Sequence, residues 1–354
     1  MKNTSKKYFL AANSCEGFIS YFNLAYDSKD GWQAYIIKGG PGTGKSTFMK
    51  RVAFTAEEKG FEVEYCYCSS DPDSLDAVII PRLKLIIMDG TAPHTVDPAY
   101  PAVSDRILNF GEFWDESLIK KHADEIISVT DKNKSLHKTA SRYLSSAGSL
   151  LKDSFNSQLM ATDISKAKKF AKKLCEKYIQ KEGKGTKERI RFLSGISPKG
   201  IINYSDTLLL FSEKPIIIED EFGGVSNIIM NEVRNFALNN HYEILTFKNA
   251  LLPNLIDHIV IPELHFVLAR ENKMCKINFD VRRIHAERFI KNEKLKSRRL
   301  KYNTKTANAI LDSAALTLKK AKETHDVLES FYIKAMDFRK LEEFTEKNIE
   351  QLLK

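Results

Sequence analysis

Nine consecutive residues, Gly39-Gly40-Pro41-Gly42-Thr43-Gly44-Lys45-Ser46-Thr47, carry the spacing G-x-x-x-x-G-K-[S/T]. That order suits an anion. Glycines permit positive φ and let backbone N–H groups face phosphate oxygens, and a helix beginning at Lys45 would aim its positive dipole end at the same charge. Lys45 is placed to neutralise β- and γ-phosphates, and the Ser46 hydroxyl to ligate Mg²⁺. A second segment, Leu83-Lys84-Leu85-Ile86-Ile87-Met88-Asp89, is a mostly apolar strand ending in a carboxylate. At the C-terminal edge of such a strand, Asp89 can hold the Mg²⁺ shell.

Phosphoryl chemistry also needs a group that orients water or accepts a proton from a hydroxyl. A glutamate directly after Asp89 would do the first, but that position is Gly90. The remaining candidates are Asp71 and Asp73, just beyond the second strand, and His94, Asp97 and Glu112 in the loops after Asp89. Strand ends of this kind line the ligand crevice of open α/β sheets. The catalytic set is therefore Lys45, Asp89, Asp71, Asp73 and His94. Asp71-Pro72-Asp73 also reads as an ordinary turn or helix cap, and His94 as a loop histidine bonded to backbone. Among arginines that could reach a transferring phosphoryl group, Arg51 lies on the helix after the loop, Arg82 precedes the Asp89 strand, and Arg282 and Arg283 sit in the second half.

The elements that must position these groups follow from pattern. Tyr35-Ile36-Ile37-Lys38 is a short β-branched run suited to a buried strand. Phe48, Met49, Val52, Ala53 and Ala56 share one helical face, and Lys59-Gly60 supplies a stop. Further strands are expected at Phe61–Cys68 and Leu83–Met88, giving an α/β unit with a largely parallel sheet.

The unit occurs twice. Shifted by 181 residues, Ala34–Asp89 overlies Pro215–Arg270 without a gap, and Asp76-Ala77-Val78-Ile79-Ile80-Pro81 meets Asp257-His258-Ile259-Val260-Ile261-Pro262. With the offset changed by two, Phe9-Leu10 matches Phe192-Leu193. Lys181-Glu182-Gly183-Lys184-Gly185-Thr186-Lys187 is polar and aperiodic, as a linker should be. The expected division is residues 1–180, a linker over 181–189, and residues 190–354. Each half closes with polar segments of helical period, about 116–180 and 303–353, read as surface helices or as an arm for a protein partner.

These residues resemble the P-loop NTPases. With Ser69-Ser70-Asp71-Pro72-Asp73-Ser74, Asp89-Gly90-Thr91-Ala92-Pro93-His94, Gly111-Glu112-Phe113-Trp114 and Ser197-Pro198-Lys199-Gly200, the chain is similar over nearly its full length to a little-characterised bacterial family of ATPases with tandem P-loop halves. The resemblance implies ATP binding and two tandem three-layer α/β domains with helical extensions. In that family the second half usually keeps its glycine-rich loop; here it departs. At the same offset Gly40 becomes Glu221, Gly44 becomes Val225, Lys45 becomes Ser226, Ser46 becomes Asn227 and Asp89 becomes Arg270; only Gly42 survives, as Gly223, beside the three acids Glu219-Asp220-Glu221. Acids then stand where phosphate would need N–H groups and a lysine, so the second site is expected to be degenerate.

The chain has 354 residues, 43% of them apolar, and a net charge of +9, of which the segment Arg282–Lys305 supplies nearly all. Such a composition excludes disordered and collagen-like chains. Nucleic acid could meet that segment, but aromatic interleaving is sparse, only Phe289 and Tyr302, and a solvated face is favoured. No run is long and apolar enough to span a membrane, the N-terminus does not read as a signal peptide, and five cysteines without C-x-x-C spacing fit a reducing cytoplasm. The expected function is a Mg-ATP-binding, slow or partner-regulated ATPase with one working site. The alternatives are a small-molecule or nucleoside kinase using Asp71 or Asp73 as base, and an ATP-dependent nucleic-acid-associated switch. ATP is preferred to GTP because no guanine-reading Asn/Thr-Lys-x-Asp motif is suitably placed.

Overall fold

The computed structural model describes residues 5–291 and 298–354. In the first half the elements are β1 (Lys6–Tyr8), β2 (Ala11–Ser14), β3 (Gly17–Ser20), β4 (Gln33–Lys38), α1 (Lys45–Glu58), β5 (Glu64–Tyr67), β6 (Leu75–Ile80), β7 (Leu85–Asp89) and β8 (Asp105–Asn109). Helices α2 (Glu116–Lys120), α3 (Ala123–Ala161) and α4 (Ile164–Tyr178) follow. The second half repeats the series with β9 (Lys187–Arg191), β10 (Ser194–Ser197), β11 (Gly200–Asn203), β12 (Ile216–Glu219), α5 (Gly224–Asn239), β13 (Glu243–Lys248), β14 (Ile256–Ile261), β15 (Phe266–Glu271) and β16 (Arg283–His285). It ends with α6 (Arg298–Ala335) and α7 (Phe338–Leu352).

Among the described residues the strands form two six-stranded sheets, ordered β1-β5-β6-β7-β4-β8 and β9-β13-β14-β15-β12-β16, and two hairpins, β2-β3 and β10-β11. The two orders are the same once β9 is set on β1, as a duplicated unit requires. Two details differ from the expected strands. Leu75–Ile80 is a strand of its own, antiparallel to β5 and β7, because the turns on either side of it are too short for a crossover helix. Pro81–Leu83 is a 3-10 turn, so the strand bearing Asp89 starts at Leu85, and the last residues of the expected linker belong to β9.

Side chains alternate between two environments. Ala34, Ile36, Ala77, Ile79, Ile86 and Met88 of the first sheet share one core with Ile217, Leu245, Phe247, Val260, Val267 and Ala269 of the second. Their neighbours Ile37, Val78, Ile80 and Ile87 face α1 instead. The expected three-layer domains are therefore corrected: each sheet carries helices on one face only, and the two inner faces pack on each other. Both faces of β6 and β14 are dry, which is why all six residues of each strand are buried. Near the pseudo-two-fold axis Phe9 and Phe192 exchange both backbone hydrogen bonds at 2.9 Å. Phe9 stacks on Tyr204 at 4.9 Å and Phe192 on Tyr21 at 5.0 Å.

The helical extensions cross over. Helix α4 follows the first half in sequence, yet Ala167, Ala171, Leu174 and Cys175 enter the core of the second sheet with Ile218, Ile229 and Val233. Helix α7 does the reverse: Leu341, Ile349 and Leu352 cover the first sheet beside Phe48, Met49 and Val52. The carriers are α3 and α6, about 58 Å long at 1.5 Å per residue. They lie antiparallel, with Asn133 donating to the Ala321 carbonyl and Asn303 to the Leu150 carbonyl, along a seam of Ala140, Leu144, Ala147, Ala307, Leu311 and Ala314. Each transfer is pinned in the same way. Asp337 N–H donates to the Phe113 carbonyl and Asp163 N–H to the Phe289 carbonyl, both at 2.7 Å. Asp163 and Asp337 then cap α4 and α7 by accepting from Lys166 N–H and Lys340 N–H. No described helix is long and apolar enough to cross a membrane.

Candidate functional site

Strand β4 ends at Lys38 and the chain turns through Gly39–Gly44 before α1 starts at Lys45. Gly42 and Gly44 have φ of 68° and 84°, values that side-chain-bearing residues rarely adopt. The Lys45 ammonium donates to the Gly39 and Gly40 carbonyls at 3.1 and 2.7 Å and lies 3.7 Å from an Asp89 oxygen. Parallel pairing of β4 with β7, Ile37 opposite Asp89, brings that carboxylate to the loop. Its other oxygen accepts from the Thr91 N–H and hydroxyl at 2.9 and 2.6 Å. Ser46 Oγ accepts from Leu75 N–H at 2.9 Å, tying the start of α1 to β6. Thr43 Oγ1 donates to the Gly40 carbonyl, which steadies the turn.

The other candidates scatter around this centre. Asp71 accepts from Ser74 and lies 3.6 Å from Lys322 of α6. Asp73 is exposed and held by Lys199 of the second half at 2.7 Å, and that ammonium holds its carboxyl below the usual range. His94 is buried, stacked on Phe22 at 4.8 Å, with Nε2 3.8 Å from Asp76 Oδ1. Burial raises the Asp76 carboxyl, with neighbouring His94 opposing and Asp89 adding to the shift. Asp97 pairs with Lys38, and Glu112 accepts from Asn109. At Gly90 an added Cβ would fall 2.3 Å from Ile36 Cγ2, so the position has no room for a glutamate. Arg51 pairs with Glu342 of α7, while Arg283 is bound to Glu219 and Glu271 within the second half.

The equivalent place in the second half is built differently. Asp220, aligned with Gly39, turns its carboxylate onto the N–H groups of Gly223, Val225 and Ser226 at 3.1, 3.1 and 2.7 Å. Gln158 of α3 donates to the same carboxylate at 2.7 Å and accepts from Gly224 N–H at 2.6 Å. The helix here begins at Gly224, which aligns with Thr43, so α5 starts two positions earlier than α1. The N-cap is Gly223, but the acidic side chain three residues before it takes the first free N–H groups of the helix, and the loop has shrunk into the helix. Arg270, in the place of Asp89, donates to the Asp220 and Glu221 carbonyls and pairs with Asp257 at 2.8 Å.

One group of residues escaped the sequence reading. Helix α6 lies on the first loop: a Cβ at Gly42 would meet Ile333 at 2.8 Å and the Glu329 carbonyl at 2.9 Å, and one at Gly40 would meet Trp114 at 3.0 Å and Tyr332 at 3.2 Å. Leu341 of α7 lies as close to Gly44. A second repeat offset, 174, would have shown the equivalence of the arms, since it pairs Asp163, Lys166 and Phe170 with Asp337, Lys340 and Phe344. Of the basic segment, residues 292–297 lie outside the described residues; Lys291 pairs with Asp163 and Arg299 with Asp153.

Fold and site define a mixed α/β protein of two face-to-face sheets with exchanged helical arms. No family model matches the chain, and no curated protein and no solved structure matches it either.

Proposed function

We propose that the chain is a P-loop protein that binds Mg-ATP at one site, Gly39–Thr47, and hydrolyses it slowly or under the control of a partner, the second half keeping a degenerate copy. The observation that carries this reading is the loop itself: two glycines at positive φ, a helix opening at Lys45, and the Lys45 ammonium 3.7 Å from Asp89. The donors fit a magnesium nucleotide. Among the described residues no group of three or more His, Cys, Asp or Glu side chains could hold a metal alone, and Mg²⁺ bound with phosphates needs only one or two protein oxygens. Ser46 and Asp89 would supply them. Bound there, the ion would withdraw charge from the γ-phosphoryl oxygens. Lys45 would leave the Gly39 and Gly40 carbonyls for the β- and γ-phosphates, and the backbone N–H groups of the loop would hold the rest of the anion.

Slow turnover follows from Gly90, where close packing against Ile36 shuts out a water-orienting carboxylate. The kinase reading draws less support, since Asp73 is tied up by Lys199 and Asp71 by Ser74 and Lys322. Titration calorimetry with Mg²⁺ and a non-hydrolysable ATP analogue tests the proposal. About one site per chain is expected, lost in Lys45→Ala. Two equal sites, or binding indifferent to Lys45→Ala, would remove it.

A further inference from the structure

Both loops are met by a helix from the other half, and in the second loop the backbone N–H groups have side-chain acceptors. In the second half Asp220 and Gln158 saturate them. In the first half the same turn of the arm presents Glu329, Tyr332 and Ile333 of α6 to Gly40 and Gly42. The Glu329 carboxyl is held below its usual range, first by His325, 3.5 Å away, then by Lys322 and by the Gly42 N–H. Lys322 also faces Asp71 and Asp326. Lys322, His325 and Glu329 recur at helical spacing, so one face of α6 carries the Glu329 carboxylate, with an imidazole and an ammonium beside it, toward the first loop. A triphosphate seated on Gly40–Gly44 would collide with Ile333 and Tyr332 and would place like charge beside Glu329.

Resting on the nucleotide reading above, we infer that α6 is an autoinhibitory arm: Glu329 is a resident anion at the loop, and the phosphates of ATP must displace it and the side chains beside it to bind. Displacement costs binding energy and moves a helix that runs antiparallel to α3, whose far end sits on the second loop. Occupancy of the first loop is thereby reported to the second half.

The test is titration of the full chain and its variants with Mg²⁺ and a non-hydrolysable ATP analogue, with circular dichroism confirming the fold of each. Glu329→Gln removes the competing charge and Ile333→Ala the steric block. Each is expected to tighten binding about tenfold, and Lys45→Ala to abolish it. If Lys45→Ala binds as the unaltered chain does, the nucleotide reading fails. If binding depends on Lys45 but both arm variants bind equally or more weakly, the reading stands and the autoinhibitory arm is overturned. Hydrogen exchange on the unaltered chain gives a second readout: the analogue should protect 40–47 while raising exchange in 322–341. Protection of both segments would make α6 part of the bound site and sink the inference.

Discussion

The Asp220 carboxylate accepts from three backbone N–H groups and one amide while 2% exposed, so its loss strands buried donors. Asp220→Ala is expected to cost on the order of 3 kcal/mol or more, read as a fall in the urea midpoint, because each orphaned buried donor costs about 1–3 kcal/mol. Gly90→Ala should also destabilise, since its Cβ would overlap Ile36, and no water-activating group can be installed there without repacking β4. His258 gives a pH signature. Burial holds its imidazole down at about 4, so it is neutral in the folded chain, while the unfolded one titrates near 6.5. The unfolded state takes up the proton first. Stability is complete above pH 6.5 and is lost as pH falls toward 4, by about 2 kcal/mol at pH 5. Ala77 occupies the equivalent place in the first sheet, and His258→Ala should flatten this part of the acid slope in urea melts. An unchanged slope would mean that other groups carry it.

At the level of elements, the strands around the loop were legible because β-branched runs and a turn of glycines leave few alternatives. Strand β6 was not, although it held the clearest repeat, because a dry strand has no alternation to betray it. The amphipathic stripes of α4 and α7 were equally readable as helices. What they cover was not, since Ala167, Ala171 and Leu174 would fit either sheet and only tertiary packing chooses. The acids at 219–221 suggested an anion excluded by charge; a single aspartate filling the N–H groups itself is a geometric outcome that spacing alone does not contain. The crossing makes a prediction about fragments. Residues 1–180 expressed alone would lack α7 over Phe48, Met49 and Ile87 and would carry α4 with its apolar face bare. Such a fragment should aggregate or show weak tertiary signal in near-ultraviolet circular dichroism; a stable monomer would show that the exchange is dispensable.

For the whole molecule, the two halves share one inner core and hold each other's outer faces, so neither has a boundary along which to melt separately. Calorimetry should find one transition, with calorimetric and van't Hoff enthalpies agreeing. Two resolved transitions would mean that the inner core couples the sheets less tightly than its dryness implies.

The same crossing sets an order of events during synthesis. The strands of the first sheet are made by residue 109, yet α7, which shields their outer face, ends at residue 352. At roughly 5–20 residues per second, a ribosome leaves that face uncovered for about 12–50 s. Helix α4, complete at residue 178, waits about 5–21 s at the same rate for its own sheet, whose last strand ends at residue 285. A nascent chain in this state offers two apolar surfaces at once, and α4 can rest on the wrong sheet until translation has passed the right one.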